Sequence, residues 1–266
     1  MTEREYRQAD GISRSELWKI RESPEKFKWA QEHPEKPTPA LVFGAAVHKL
    51  LLEADSFSDE FAVAPEVNKR TNEGKAQIEA FLGENADKTI IDKADYEKAL
   101  EMVRFARESP FVAKLLDGEH EKPFFWLDDV TDELCKVRLD CLTEVNGELV
   151  IVDYKTTANA STEAFMMSAL NYGYDFQSAM YSEAVKKATG NTPRFVFVAQ
   201  EKFEPYSVNI LTADDAFVSR GYDIFRELIG RYHDCRLTGN WYGYLGRENA
   251  FNDLSLPAWL LKQQEE

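Results

Sequence analysis

Residues 137–157 read VRLDCLTEVNGELVIVDYKTT, and this stretch decides the fold. Asn146-Gly147 near its centre is a strong signal for a two-residue turn between the strands of a β-hairpin. The turn sets the register of the hairpin, and that register places Asp140 directly opposite Asp153. The two acids then occupy a non-hydrogen-bonded pair, in which Cβ atoms approach to about 4.5–5.5 Å. The sequence therefore predicts two carboxylates side by side on one hairpin.

A divalent cation explains why two like charges would stand opposite each other, because an unshielded pair destabilises a ladder. Lys155 follows Asp153 by two residues and therefore shares its face of the strand. Carboxylate oxygens suit Mg²⁺, and a nearby ammonium group can orient a bound water or stabilise charge at phosphorus. Spacing alone fits equally well a salt bridge on the wet face of a hairpin. The apolar run Leu149–Val152 favours the metal site, since a carboxylate that continues a buried strand needs a partner.

The arrangement of Asp140, Asp153 and Lys155 resembles the core of the PD-(D/E)xK nuclease superfamily, which carries D and D-x-K on consecutive antiparallel strands. The proline in the name of the motif is Leu139 in this chain. This core motif is moderately specific by itself, and further segments narrow the match.

Two helical segments resemble the RecB-like branch of that superfamily. Residues 44–53, GAAVHKLLLE, are similar to the helix that supplies a histidine to the metal, and the matching residue is His48. Gln177 and Tyr181 match the Q-x-x-x-Y element that follows the catalytic lysine in that branch. Without the resemblance, His48 would be read as a satisfied core histidine and the other two as an ordinary amphipathic pair.

Three further segments resemble the RecE type of exonuclease, also called exonuclease VIII. They are residues 11–17 (GISRSEL), residues 68–75 (NKRTNEGK) and residues 256–259 (LPAW). The resemblance covers nearly the whole chain. It implies an α/β fold with a restriction-endonuclease-like core, in which a central mixed β-sheet carries the catalytic hairpin and helices flank it.

The resemblance also implies the roles of the site residues. The metal, Mg²⁺ with Mn²⁺ as a substitute, would be bound by His48, Asp140, Asp153 and the backbone carbonyl of Tyr154. Lys155 would position the attacking water. Gln177 and Tyr181 would together reach a phosphate or the scissile nucleotide. Glu121 is a candidate for an additional acid, although we favour its interpretation as an edge carboxylate in solvent.

DNA contacts are harder to predict, because the net charge of −15 has the wrong sign for a nonspecific nucleic-acid binder. A basic groove can nevertheless exist on an acidic protein, since net charge does not describe a local site. If the RecE resemblance extends to a ring-shaped homo-oligomer, the outside would be acidic and the channel basic. We place Arg138 on the face of Lys155. The predicted DNA-binding residues are Ser13, Ser15, Lys69, Arg70, Lys75, Arg138, Thr156 and Thr157.

Composition excludes several other classes of protein. The 266 residues contain three cysteines, so the chain cannot supply the four ligands of an iron–sulfur cluster. It has no phosphate-binding loop of the G-x-x-x-x-G-K-[ST] type and therefore no ATP motor of its own. No apolar signal region or membrane span is evident, which favours a cytoplasmic protein. We expect one nuclease domain over residues 1–266, with a helical part to about 110 and a catalytic core from about 111.

The predicted elements follow a mixed α/β order. A capping box at Ser13–Glu16 begins a helix that ends before Pro24, and an apolar helix covers about 40–53. Helical periodicity recurs near 76–82, 95–109, 162–170 and 174–188, and a last helix covers 213 to about 235. Strands are predicted from Phe124 into the hairpin, at 194–200 and at 206–211.

We therefore expect a metal-dependent, ATP-independent exodeoxyribonuclease. By resemblance to RecE, it would degrade linear double-stranded DNA from 5′ ends and leave 3′ single strands for a RecT-like annealing partner in recombination, as phage-encoded enzymes do. One alternative is an endonuclease or single-strand-specific exonuclease of the RecB-like branch. An alternative of another class is a non-catalytic acidic protein, such as a DNA mimic or an assembly factor.

Overall fold

A six-stranded mixed sheet forms the centre of the computed structural model, which describes residues 1–34, 36–68, 70–246 and 254–255. The strands are β1 (Ile12–Ser13), β2 (Phe61–Val63), β3 (Thr89–Ile91), β4 (Glu119–Leu127), β5 (Leu134–Val145), β6 (Glu148–Thr157), β7 (Arg194–Glu201) and β8 (Val208–Thr212). The sheet has the order β1-β5-β6-β7-β8, and β4 pairs with β5 as well. Strands β2 and β3 form a separate parallel pair.

Helices cover both faces of this sheet. They are α1 (Glu3–Gln8), α2 (Arg14–Glu22), α3 (Pro24–Glu32), α4 (Pro39–Leu52), α5 (Phe57–Glu60), α6 (Asn72–Glu84), α7 (Lys93–Glu108), α8 (Pro110–Leu115), α9 (Thr162–Tyr172), α10 (Tyr174–Thr189) and α11 (Asp215–Thr238). Helices α4, α7 and α8 pack in one hydrophobic core, and α2, α9, α10 and α11 pack in the other. The expected α/β fold with a central mixed sheet is confirmed.

The central hairpin has the predicted register. Strands β5 and β6 pair from Val145 opposite Glu148 to Cys141 opposite Val152. Asn146 and Gly147 both have positive φ, of 54° and 83°, as a turn whose twist matches that of the strands requires. The described pairs end at Cys141 with Val152, one position before Asp140 and Asp153, so the direct pairing of the two acids stays a prediction.

The N-terminal capping box is also present, although the sequence did not reveal every element. Ser13 caps α2, and its backbone N–H donates to Glu16 Oε2 at 2.9 Å. Strand β4 begins at Glu119, five residues before the predicted start, and β8 begins at Val208 rather than at residue 206. Helices α1, α3 and α8 and the β2–β3 pair were not predicted, since elements this short carry little periodicity.

Two predicted features fall outside the described residues, namely Lys69 and the segment 256–259. Among the helices that the structure does describe, none combines the length and the apolar character needed to cross a membrane.

Candidate active site

The pairing of β4 with β5 is interrupted at one level, and each strand carries an acid there. Glu121 has a φ of 52°, which is uncommon for a residue other than glycine, and the β4–β5 ladder omits the pair of Glu121 with Asp140. Leu139 and Cys141 would face the same side of a regular strand, yet they lie in opposite cores. The alternation of side chains therefore shifts at Asp140.

The other edge of β5, which faces away from β4, is also unpaired beside Asp140 in the described part of the chain. On that edge β1 pairs with Cys135 and Lys136, and β6 pairs from Cys141 onward. The carboxylate of Asp140 replaces the missing backbone acceptor, because the Tyr154 N–H donates to Asp140 Oδ2 at 2.8 Å. This bond fixes the first acid of the D…D-x-K pattern against the second strand.

Helix α4 brings His48 to the two acids. His48 Nε2 lies 2.9 Å from Asp140 Oδ2, and His48 Nδ1 lies 3.3 Å from Glu121 Oε1. Gly44, one turn earlier, faces β6, where an added Cβ would lie 3.4 Å from Thr156 Oγ1, an ordinary van der Waals contact. In the described part of the chain, His48, Glu121 and Asp140 form a group whose ligand atoms lie within 4.8 Å of one another.

The second acid is approached from the opposite face of the sheet. Asp153 is 1 % exposed and its Oδ2 lies 2.6 Å from Lys155 Nζ, which confirms that the two side chains share a face. Gln177 on α10 donates from Nε2 to Asp153 Oδ1. The Lys155 ammonium lies 5.0 Å from the centre of the Tyr174 ring. Side chains therefore approach this level of the sheet from both faces, His48 from the α4 side and Gln177 from the α10 side.

The charged groups on the α4 side shift one another's pKa values. Burial lowers the pKa of His48, but the negative charges of Asp140 and Glu121 outweigh burial and raise it to about 9. Burial raises the pKa of Glu121 to about 8, with Asp140 and Glu53 adding to the effect and His48 opposing it. Without a metal, His48 and Glu121 therefore hold protons at neutral pH.

The pKa shifts of the two aspartates have opposite signs. Burial opposes ionisation of Asp140, yet His48, Lys155 and the Tyr154 N–H outweigh it and lower its pKa. Burial raises the pKa of Asp153 to about 6, and the Asp140 charge adds to this rise while Lys155 opposes it. Burial lowers the pKa of Lys155, but the two aspartates raise it overall, so this amine stays charged.

The residues at this level of the sheet fit a divalent cation. An imidazole and two carboxylates form a donor set that suits Mg²⁺ or Mn²⁺. Asp153 Oδ2 is buried and accepts no hydrogen bond of regular geometry, despite its short contact with Lys155. The holders of such an ion would be His48, Glu121 and Asp140, with Asp153 adjacent.

Several predicted site residues occupy positions that the sequence did not indicate. The interpretation of Glu121 as an edge carboxylate in solvent is wrong, because its side chain is 12 % exposed and faces His48. Gln177 is 5 % exposed and bonds to Asp153, so it supports an acid. Tyr181 packs against Phe195, and burial holds the pKa of its phenol well above the usual value.

The predicted DNA-binding residues do not form one cluster. Ser13 caps α2 and its Oγ lies 3.3 Å from Ser15 Oγ, whereas Thr157 Oγ1 donates to the Asn159 carbonyl at 3.1 Å. Thr156 lies against α4.

Arg70 and Lys75 are both exposed. Arg70 lies just before α6 and Lys75 lies in its first turn. Arg138 was placed on the face of Lys155, and this is wrong. Its guanidinium contacts Glu121 and Glu53 on the α4 side, because the side-chain alternation shifts at Asp140.

Two residues at the site were not predicted. Arg14 on α2 donates to the carbonyls of Tyr172 and Gly173, and burial lowers its pKa while the negative charge of Asp153 opposes this shift. Tyr174 lies beside Lys155. Arg14 lies in the segment 11–17 singled out above, but nothing in the sequence indicates that it or Tyr174 reaches the site, because both do so through the packing of α2 against the junction of α9 and α10.

Comparison with known proteins assigns the chain to a family. No curated protein matches the chain. A crystal structure from Eubacterium rectale, described as a “putative exonuclease”, is similar with a TM-score of 0.65 and 16% identity, covering 98% of this chain and 97% of that one. The structure of SSO0001 matches 80% of this chain and 84% of its own at 11% identity, with a TM-score of 0.31, which is too low to compare folds. Residues 13–252 match the family model described as the PDDEXK-like domain of unknown function DUF3799, and the chain therefore belongs to this family of the PD-(D/E)xK superfamily.

Proposed function

We propose that the protein is a metal-dependent, ATP-independent nuclease that hydrolyses DNA phosphodiester bonds. One observation carries the proposal. His48, Glu121 and Asp140 converge from three elements on one point, and the buried pair of Asp153 and Lys155 lies beside it. Burying several carboxylates costs free energy unless a cation or a hydrogen-bond donor compensates their charge. A divalent cation held by these acids would compensate the charge and could also promote hydrolysis at phosphorus.

The side chains have distinct roles in this reaction. Asp140 is held ionised by its neighbours and by the Tyr154 N–H, so it presents a carboxylate to a cation at neutral pH. Lys155 stays protonated and therefore stabilises the negative charge that develops on the phosphate, rather than accepting a proton. Gln177 fixes the orientation of Asp153. A bound Mg²⁺ or Mn²⁺ would supply Lewis-acid polarisation of the phosphate and a more acidic water.

More specifically, we propose that this nuclease is an exonuclease of the RecE type. It would act on linear double-stranded DNA in the 5′-to-3′ direction and leave 3′ single strands for a RecT-like annealing partner. The resemblance of residues 11–17 and 68–75 supports this proposal. A homo-oligomeric ring would reconcile DNA binding with a net charge of −15, because the acidic residues could then lie outside the channel.

The experiment compares linear duplex DNA with covalently closed circular DNA in Mg²⁺, in Mn²⁺ and in EDTA. Duplexes labelled at the 5′ or the 3′ ends report polarity. We expect early release of the 5′ label, a persistent 3′-labelled single strand, an intact circle and no reaction in EDTA. Cleavage of the circle would contradict the exonuclease, and activity that survives EDTA would contradict metal dependence.

Substitutions test whether this site carries the activity. Lys155→Met and Asp140→Asn should each lower the rate at least about 100-fold, since electrostatic groups at a developing charge contribute that much. Lys187→Ala is the matched control, because this lysine pairs with Asp129 on another part of the surface. Equal activity in Lys155→Met and Lys187→Ala would refute the assigned site.

A further inference from the structure

Arg138 is a buried cation surrounded by acids. Its side chain is 7 % exposed, and its guanidinium forms ion pairs with Glu3, Glu53 and Glu121. An arginine enclosed in this way has little capacity left for a DNA phosphate. Its interactions are therefore with carboxylates of the protein itself.

Arg138 contacts both the side chain and the backbone of Glu121, the acid at which the pairing of β4 with β5 is interrupted. Arg138 Nε lies 2.8 Å from Glu121 Oε2 and 3.3 Å from the Glu121 backbone oxygen. One nitrogen thus contacts both the side chain and the main chain of the same residue. Because Glu121 has a φ of 52°, its backbone needs such support to stay in the left-handed region. The other carboxylate oxygen, Oε1, remains directed at His48 Nδ1, 3.3 Å away.

Two further acids fix the guanidinium from outside. Glu53 is the C-cap of α4, the helix that carries His48, and its Oε2 lies 3.5 Å from Arg138 Nη2. Glu3 lies on α1 and contacts Nη1.

Helix α1 is itself held at its C-terminal end. Lys136 Nζ donates to the backbone oxygens of Tyr6 at 3.2 Å and Ala9 at 2.5 Å. Through its contacts with Glu121, Glu53 and Glu3, Arg138 connects β4, the end of α4 and α1.

We propose that Arg138 is a positioning residue for metal binding, and that it acts by holding Glu121 against His48 and Asp140. This inference rests on the metal site of the proposed function. Partners of metal ligands orient those ligands, and their loss typically weakens metal affinity about 10- to 100-fold. Arg138 would act in this way although it touches neither the metal nor the substrate.

The test is a double-mutant cycle read out as Mn²⁺ affinity by titration calorimetry without DNA. Its members are the wild type, Arg138→Met, Glu121→Gln and the double variant. We expect Arg138→Met to weaken Mn²⁺ binding about tenfold or more. In the Glu121→Gln background the same substitution should change the affinity less than about twofold, because the group through which it acts is already altered.

Other results would overturn the proposal. A loss of the same factor in both backgrounds would show a general effect on the structure, and no loss in either would show no effect on the metal. A wild type that binds no Mn²⁺ would also overturn it. If the wild type binds Mn²⁺ but cleaves no DNA, the proposed function fails while the role of Arg138 can still be measured.

Two milder variants keep the test valid if Arg138→Met does not fold. Arg138→Lys keeps a cation near Glu121 but loses the contact to the backbone oxygen, and Glu3→Gln removes only an outer acid. We expect Arg138→Lys to weaken Mn²⁺ binding more than Glu3→Gln does, again only where Glu121 is intact. Circular dichroism and the thermal midpoint show that each variant is folded. The reverse order would contradict the proposal.

Discussion

Gly173 joins α9 to α10 at the active site, and substitution by alanine should be costly for two separable reasons. Its φ of 67° and ψ of 42° lie in the left-handed region, which costs a residue with a Cβ about 1–2 kcal/mol. An added Cβ would also overlap the six-membered ring of Trp18. That ring cannot easily move, because it lies between Phe176, 5.9 Å away, and the Arg21 guanidinium, 4.5 Å away. Overpacking of this kind adds about 1–3 kcal/mol.

The matched control is Gly190→Ala at the end of α10. Gly190 also has a left-handed φ, of 78°, but nothing lies within 4 Å of the position of an added Cβ. We therefore expect a loss of about 2–5 kcal/mol in the free energy of unfolding for Gly173→Ala and about 1–2 kcal/mol for Gly190→Ala. Urea unfolding followed by tryptophan fluorescence measures both losses. Equal losses would refute the contact between Trp18 and this junction.

Three further predictions concern the charged groups of the site. Gln177→Ala should lower the free energy of unfolding by about 1.5–3 kcal/mol in urea titrations, because buried Asp153 loses a charge-assisted hydrogen bond; an unchanged midpoint would contradict that bond. In metal-free protein, calorimetry should show the melting temperature falling as pH rises from 6.5 to about 9. Folded His48, whose pKa burial lowers but Asp140 raises to about 9 overall, keeps a proton that the unfolded chain loses near 6.5. The slope should be smaller in His48→Asn, and an identical slope would assign the effect elsewhere. Millimolar Mn²⁺ should raise the melting temperature of the wild type but not that of Asp140→Asn, and equal shifts would place the cation at another site.

Local signals predicted most of the central fold correctly. The Asn146-Gly147 turn alone determines the register of β5 and β6, because a two-residue loop leaves one pairing that keeps the apolar residues inside. The capping box at Ser13 and Glu16 marked the start of α2 for a similar reason, since both hydrogen bonds are made within one turn. Such features depend on residues a few positions apart, and the chain cannot form them in another way without losing those bonds.

The same local reasoning failed where two strands deform together. The shift of side-chain alternation at Asp140 sends Arg138 toward α4 and away from the face of Lys155. Nothing in the sequence around Glu121 marks its left-handed backbone, and the Arg138 side chain that donates to its carbonyl comes from seventeen positions away. Periodicity rules assume a regular strand, and a paired break violates that assumption.

The sequence by itself determined the acids, the lysine, the hairpin that carries them and the PD-(D/E)xK superfamily, because each depends on near neighbours or on a motif. Only the tertiary structure decided which groups meet. It placed Glu121 beside His48 and enclosed Arg138 among three carboxylates. It also assigned Gln177 to Asp153. The physical reason is that these contacts join separate elements, and the packing of α4 and α10 on the two faces of one broken sheet sets their distances.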